Sequence, residues 1–398
     1  MDLDIFQNPF RPGAGHQPPF LAGREPETKE FRRLLTQDVI LENLVLTGLR
    51  GVGKTVLVDN FKPIALAEGW SWVGTDLSES SSLTEERIAT RLLTDLSVVT
   101  SSIKVGETEV KRIGFNPESE KESLTLNYNT LMAMFASTPG LIADKLKAVL
   151  EVVWNAIEKS SHLRGVVFAY DEAQNLSDHA DKNEYPTSLL LDVFQSLQKK
   201  DIPVMLVLVG LPTLFPKLVE ARTFAERMFR VIFLDHLNDD DSCEAITKPI
   251  NDAKCSVRLN KKSVELIVRI SGGYPYFIQF ICREVYDSFI LGTESVPVEE
   301  ITQKLDSDFF AGRWAKATDR QRELLVVIAH LDNCDVEFSV QDIVAQSKKI
   351  LEKPFSSSHT NQMLVTLTNN GLVFKNRHGR YSFAVPLLGR FVLRQQDI

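Results

Sequence analysis

Gly48-Leu-Arg-Gly51-Val-Gly53-Lys54-Thr55 follows a short β-rich apolar run, Leu44–Thr47, and leads into a helix-forming stretch, Thr55–Ala67. The octet matches GxxxxGK[ST] at every fixed position, and a place between strand and helix is the context the pattern needs. Its glycines let consecutive backbone N–H groups turn inward around a phosphate, while the following helix directs its positive end to the same point. Lys54 is the side chain expected to neutralise β- and γ-phosphate oxygens, and the Thr55 hydroxyl to ligate Mg²⁺. Gly48, Gly51, Val52, Gly53, Lys54, Thr55 and Val56 are thus the expected nucleotide-binding residues, with ATP and Mg²⁺ as cofactors.

Further along, Val166-Val-Phe-Ala-Tyr-Asp171-Glu172 is an apolar strand that ends in two acids. Asp171 suits the metal's water shell, and Glu172 suits polarisation of an attacking water. Strand and helix signals alternate around these two motifs. Trp70–Leu77 reads as a strand, Ser82-Leu-Thr-Glu85 as a capping box opening a helix, and Leu141–Lys159 as a helix with apolar positions three and four apart. Ser188–Lys199 reads as helix, Ile202–Val209 as strand and Val231–Leu234 as a last short strand. Strands this apolar on both faces belong in a parallel sheet sandwiched by helices. The expected fold class is therefore α/β, a P-loop parallel-sheet core.

The core is assigned to residues 24–237, interrupted by a polar insertion at about 100–128 with room for a hairpin. Residues 1–23, rich in Pro, Gly and Phe, read as an extended arm. Only helical patterns run through 238–307, which predicts a helical lid. Residues 318–398 then give a helix Thr318–His330 capped by Thr318 with Gln321, a helix Ser339–Lys349, and a helix Ser356–Asn370 stopped by Gly371. Leu372–Lys375 and Arg380–Phe383 flank the turn Asn376-Arg-His-Gly379, a β-hairpin signal. Three helices and a hairpin are the order of an α+β winged-helix domain.

Composition narrows the function classes. The 398 residues carry a net charge of −8, so the whole chain has no general affinity for polyanions. Residues 318–398 hold ten Lys/Arg against eight Asp/Glu, leaving room for a local nucleic-acid surface. The four cysteines (Cys243, Cys255, Cys282, Cys334) form no CxxC pair and read as buried thiols in a reducing compartment. MDLDIFQNPF lacks the features of a signal peptide. The longest apolar run, Val204–Leu211, is far short of the ~20 residues a span needs. A cytoplasmic protein without a membrane partner is expected. The seven histidines show no zinc spacing, and no nucleophile elbow stands out.

With these motifs in view, the chain resembles AAA+ ATPases of the branch that holds origin-recognition and initiator ATPases and the related STAND switch ATPases. Phe20-Leu-Ala-Gly23-Arg24-Glu25 resembles that branch's motif lining the adenine pocket, which would place Phe20 and Leu21 there. Gly210-Leu-Pro-Thr213, after the strand Ile202–Val209, resembles the sensor 1 region and would set Thr213 near the γ-phosphate. Phe224-Ala-Glu-Arg227 stands where this branch keeps an arginine finger; Arg227 is the first choice, with Arg222 and Arg230 as rivals. A surface salt bridge is the competing reading of that arginine.

One departure matters. In place of a sensor 2 arginine the chain has Ser271-Gly-Gly273-Tyr-Pro275, similar to the GxP motif of STAND ATPases, whose proline packs near the nucleotide. This favours a slow nucleotide switch over fast, ring-driven hydrolysis. The C-terminal segment is similar in domain order to the winged helix of initiators. Its expected DNA contacts are His359 and Asn361 on the recognition helix and Lys375, Arg377 and Arg380 on the wing beside His378. Many winged helices pack against protein instead.

The resemblance implies a slow, oligomerising ATPase associated with double-stranded DNA, of initiator, loader or transposition-regulator type. The runner-up reading is a STAND-like signalling switch of bacterial defence that recruits a protein effector or client through its C-terminal domain.

Overall fold

In the computed structural model of the chain, residues 8–13, 15–110, 120–160, 162–253, 257–334, 336–377 and 379–396 are described. The strands in chain order are β1 (Asn43–Gly48), β2 (Trp70–Val73), the hairpin pair β3 (Lys104–Val110) and β4 (Glu120–Thr125), β5 (Gly165–Tyr170), β6 (Val204–Gly210) and β7 (Phe229–Leu234). Five of them form one sheet in the order β2-β5-β6-β1-β7. The pairs β2–β5, β5–β6 and β1–β6 are parallel, with Val166 opposite Val204 and Leu44 opposite Val207. Every residue of the three inner strands is buried. That is the burial a parallel strand meets when helices cover both faces, and it explains the continuous apolar runs. The edge strand β7 is instead buried only at its two ends, Phe229 and Leu234, with Arg230, Val231 and Phe233 exposed.

Two sequence expectations are corrected in detail. Trp70–Leu77 is a strand only as far as Val73, because Gly74 takes φ +129° and a Cβ there would lie 1.8 Å from the Ala169 carbonyl oxygen. The cap of the helix Glu85–Thr100 is Thr84, whose hydroxyl accepts from the Arg87 N–H; the Ser82 hydroxyl donates to the Ser78 carbonyl. The polar insertion holds the antiparallel pair β3–β4, whose connection lies outside the described residues. Among the described cysteines only Cys282 is fully buried, where burial pushes its thiol pKa up; Cys243 and Cys334 are half-buried, and Cys255 lies outside the described residues. No helix among the described residues is long and apolar enough to cross a membrane.

The chain divides into two compact units. One comprises Glu25–Thr47 and Leu57–Phe233, with a core between the sheet and helices such as Ile142–Ser160 and Pro186–Gln198. The other takes the residues up to Arg24, the P-loop segment Gly48–Val56, and everything from Leu234 onward. In this second unit the helices Asp239–Asp252, Lys261–Ser271, Pro275–Ile290 and Val298–Leu305 are followed by Asp319–Ala329, Val340–Ile350 and Ser357–Asn369. Thr318 and Gln321 form the expected capping box, and Ser339 with Asp342 forms another. The strands β8 (Phe338–Ser339), β9 (Val373–Arg377) and β10 (Arg380–Phe383) make a small antiparallel sheet in the order β8-β10-β9. The order helix, strand, helix, helix, hairpin is compatible with the α+β arrangement expected for this segment. A further helix, Leu388–Arg394, closes the described chain.

A single buried core runs through this unit, from Phe10 and Ala22 to Val392. Its aromatic centre is Phe310, stacked on Phe391 (ring centroids 5.2 Å apart) and tilted against Phe277 at 6.2 Å. Lys316 to Thr318 therefore does not separate two independent cores. Phe310 is 1% exposed, so Phe310→Ala leaves a cavity touching helices on both sides. The expected loss is about 3–5 kcal/mol of unfolding free energy, read from urea titration of the full chain.

Candidate functional site

The P-loop is shaped by its glycines. Gly51 and Gly53 take φ of +80° and +92°, conformations that favour residues without a Cβ. At Gly48 the obstacle is contact: a Cβ would sit 2.3 Å from the Leu234 carbonyl oxygen. The Lys54 ammonium donates to the carbonyls of Gly48 (2.9 Å) and Leu49 (2.8 Å), so its charge is held at the mouth of the loop. Thr55 and Val56 begin the helix Lys54–Ala67, and the Val56 carbonyl accepts from Gln17 Nε2 at 3.1 Å.

Two donors from outside the loop fix its backbone. The N–H of Tyr276 donates to the Gly51 carbonyl at 3.1 Å. Tyr276 is the second residue of the helix Pro275–Ile290, and Pro275, at the first position, has no N–H to leave unpaired. The Gly273-Tyr-Pro275 motif thus presents a helix start to the P-loop. Its own bend is set by Gly272 and Gly273, both at positive φ, and by the Leu237 N–H donating to the Gly273 carbonyl at 2.9 Å. The second donor is Arg24, 6% exposed, whose Nη2 reaches the carbonyls of Val52 at 3.0 Å and Asp235 at 2.8 Å. Sequence reading assigned its motif to the adenine pocket through Phe20 and Leu21 and passed over this arginine. A charged residue inside an apolar Phe-Leu-Ala-Gly context was the available signal. Phe20 and Leu21 are half-buried, and the Lys248 ammonium lies over the Phe20 ring at 4.2 Å.

In the other unit, β5 delivers Asp171 and Glu172. Asp171 is 8% exposed; its Oδ1 accepts from the Glu172 N–H at 2.7 Å, and its carbonyl accepts from the Leu77 N–H. Glu172 is exposed and takes φ +52°, uncommon for a residue with a side chain. Strain of this kind gathers at working sites. The Gln174 amide holds it: Nε2 donates to the Glu172 carboxylate, and Oε1 accepts from the Leu211 N–H at 3.1 Å. Gln174 was not anticipated from sequence. The Lys217 ammonium donates to the Gln174 carbonyl at 2.8 Å, and burial lowers its pKa.

Comparisons with known proteins bear on this architecture. A Walker-type ATPase of Pyrococcus abyssi superposes with a TM-score of 0.58 at 15% identity, covering 94% of this chain and 96% of the other. The ORC2 protein of Aeropyrum pernix, as ADPNP–ADP complexes, gives 0.53 at 13% identity over 100% and 99%. The fold is that of a P-loop AAA+ ATPase. A family profile described as a domain of unknown function, DUF8462, matches residues 307–392, and no curated protein matches the chain.

Within this AAA+ fold the remaining residues fall as follows. Thr213 is half-buried just before the helix Leu214–Ala221, and its side chain makes no cap bond. Arg222 is engaged by Asp192 through Nε at 2.9 Å and Nη2 at 2.7 Å, which raises its pKa. Arg230 pairs with Glu30 at 2.7 Å. Arg227 is exposed and its guanidinium has no partner among the described residues. His359 and Asn361 are exposed on the helix Ser357–Asn369, and Lys375 is exposed on β9. Arg380 pairs with Asp342 at 3.7 Å; the Arg377 side chain and His378 lie outside the described residues.

The Thr55 hydroxyl and the Asp171 carboxylate are each a hard oxygen donor of the kind Mg²⁺ takes. Arg24 supplies a test of how the loop is held. Removing a buried guanidinium leaves the Val52 and Asp235 carbonyls short of a donor, so Arg24→Ala is expected to cost roughly 1–3 kcal/mol of unfolding free energy. Arg24→Lys should recover only part of it, since an ammonium lacks the fork that spans two carbonyls. Chemical denaturation of the three proteins measures both.

Proposed function

We propose that the chain binds ATP with Mg²⁺ and hydrolyses it slowly, as a nucleotide switch that oligomerises and associates with DNA. The observation that carries this reading is the complete P-loop in its strand-to-helix setting, with Lys54 held at the loop mouth and the loop carbonyls fixed by Arg24 and Tyr276. In this reading Gly48, Gly51, Val52, Gly53, Lys54, Thr55 and Val56 hold the phosphates, with Phe20, Leu21 and Pro275 lining the rest of the nucleotide pocket. Thr55 and Asp171 hold the metal, which supplies charge neutralisation when bound. Glu172 orients the attacking water from its strained backbone, and Thr213 senses the γ-phosphate.

Arg227 is the proposed finger. Both rivals have acidic partners, and Arg227 alone of the three is left exposed without one among the described residues. A guanidinium without an acidic partner can be supplied to a neighbour's nucleotide without first breaking an ion pair. The core, lid and winged-helix division at 24–237, 238–307 and 318–398 is part of the same proposal. For DNA, the exposed His359, Asn361 and Lys375 are the better contacts. Arg380 would first have to leave Asp342.

A second reading is supported by a specific observation. The helix start at Pro275 meets the P-loop through Tyr276, as a STAND-like switch requires if the lid is to follow the nucleotide state. In that case the C-terminal segment recruits a protein effector rather than DNA. Light scattering of the full chain without nucleotide, with ATP, and with ATP and duplex DNA separates the two. Assembly that needs DNA favours the first, and assembly with ATP alone that ignores DNA favours the second.

The catalytic assignment makes its own expectations. Lys54→Ala should abolish ATP binding in calorimetry, and unchanged affinity would sink the P-loop reading. Glu172→Gln should bind ATP as the parent does and lose turnover by roughly a hundredfold or more. Arg227→Ala should keep binding while hydrolysis falls on the order of a thousandfold. Mixing it with Glu172→Gln chains should restore part of the activity, and no rescue at any ratio removes Arg227 from the trans role.

A further inference from the structure

The second unit contains a cavity of about 450 Å³, walled by the helices Lys261–Ser271, Val298–Leu305 and Leu388–Arg394. Its volume falls in the range of small-molecule sites, ~300–1,000 Å³. Arg269, Arg390 and Arg394 all line it, together with the Thr302 hydroxyl and the apolar side chains of Ile270 and Leu305. Among the described residues no acidic side chain lines it, although the chain as a whole carries a net charge of −8.

The three guanidiniums differ in how they are held. Arg394 is gripped by the Asp306 carboxylate in a two-pronged bond, one arm 2.9 Å long, which orients it and balances its charge. Arg390 donates Nη1 to the Arg269 carbonyl at 3.0 Å and keeps its other donors. The Arg269 side chain has no partner among the described residues. The acids of the adjoining cavity, Asp239 and Glu265, form no ion pair with either arginine, and Glu265 lies 3.8 Å from Lys261. Two exposed arginines without an acidic partner thus share one concave surface, which favours an anion.

We propose that this cavity is a binding site for a small phosphomonoester, with the dianionic phosphate taken by Arg269 and Arg390 and the organic body laid on Ile270 and Leu305. A single carboxylate is saturated by one guanidinium fork, whereas a phosphate dianion offers oxygens to two forks and a hydroxyl. Bound there, it would join the helix Lys261–Ser271 to the terminal helix Leu388–Arg394. The site is separate from the P-loop and does not depend on the ATP reading.

The test uses the full chain carrying Lys54→Ala, so that the P-loop is silenced in every protein compared. Phenyl phosphate, inorganic phosphate and a short DNA duplex are titrated calorimetrically at pH 8 and low salt. Phenyl phosphate should bind at one site, more tightly than inorganic phosphate. Adding Arg269→Ala with Arg390→Ala should weaken it roughly tenfold or more, with the unfolding temperature in phosphate-free buffer unchanged. Thr302→Glu, which sets a carboxylate at the cavity wall, should weaken it as well and guards against a folding defect in the double variant. The proposal falls if phenyl phosphate does not bind, if it binds equally well to the arginine variants, or if the duplex alone binds through these arginines.

Discussion

The carbonyls of Gly51 and Val52 are the points on which the P-loop hangs. A loop of glycines turned inward for a phosphate has little of its own to hold it, because its N–H groups are reserved for the ligand. Rigidity has to come from the other side of the peptide planes, and here it does. Tyr276 reaches one carbonyl with a helix N-terminal N–H, and Arg24 reaches the next with a buried guanidinium. Both donors belong to segments remote in sequence, so the loop's shape is a property of the folded unit and not of the octet alone. The GxP-type turn and the Gly-Arg motif, which look unrelated in the sequence, meet at adjacent peptides.

On the sheet side a comparable economy is visible around Glu172. Its backbone is left-handed without a glycine, and Gln174 spans from its carboxylate to the N–H of Leu211 at the end of β6. Gly210 is what lets the amide approach: a Cβ there would lie 2.6 Å from Gln174 Oε1. The carboxylate and the strand end bearing Thr213 are thus connected through one side chain.

How much of this was legible follows from the range of each signal. The inner strands could be read because burial on both faces writes a continuous apolar run, and the P-loop because its chemistry tolerates few residue types. The cap at Thr318 was legible for the same local reason. Ser82 misled, since two hydroxyl residues stood near the helix start and only the turn Ser80–Ser82 decides between them. The long-range pairings of Arg24, Gln174 and Arg222 were out of reach. The carbonyls on Arg24 lie 28 and 211 residues away, the Leu211 N–H on Gln174 37 and the Asp192 carboxylate on Arg222 30, and no short pattern encodes those pairings. The small strand β8 and the terminal helix Leu388–Arg394 escaped because each is defined by what it packs against.

The unbroken core from Phe10 to Val392 has a consequence for how the chain can be cut. A boundary drawn by composition between residues 307 and 318 passes through Phe310, Trp314 and the stack on Phe391. A fragment ending there would leave an open aromatic surface, and the complementary fragment would carry the other half of it. Limited proteolysis should accordingly spare this connection, and the helices on either side should exchange amide hydrogens as one cooperative block. A rearrangement that begins at the Pro275 helix would have to be accommodated within the same core that holds the last helix.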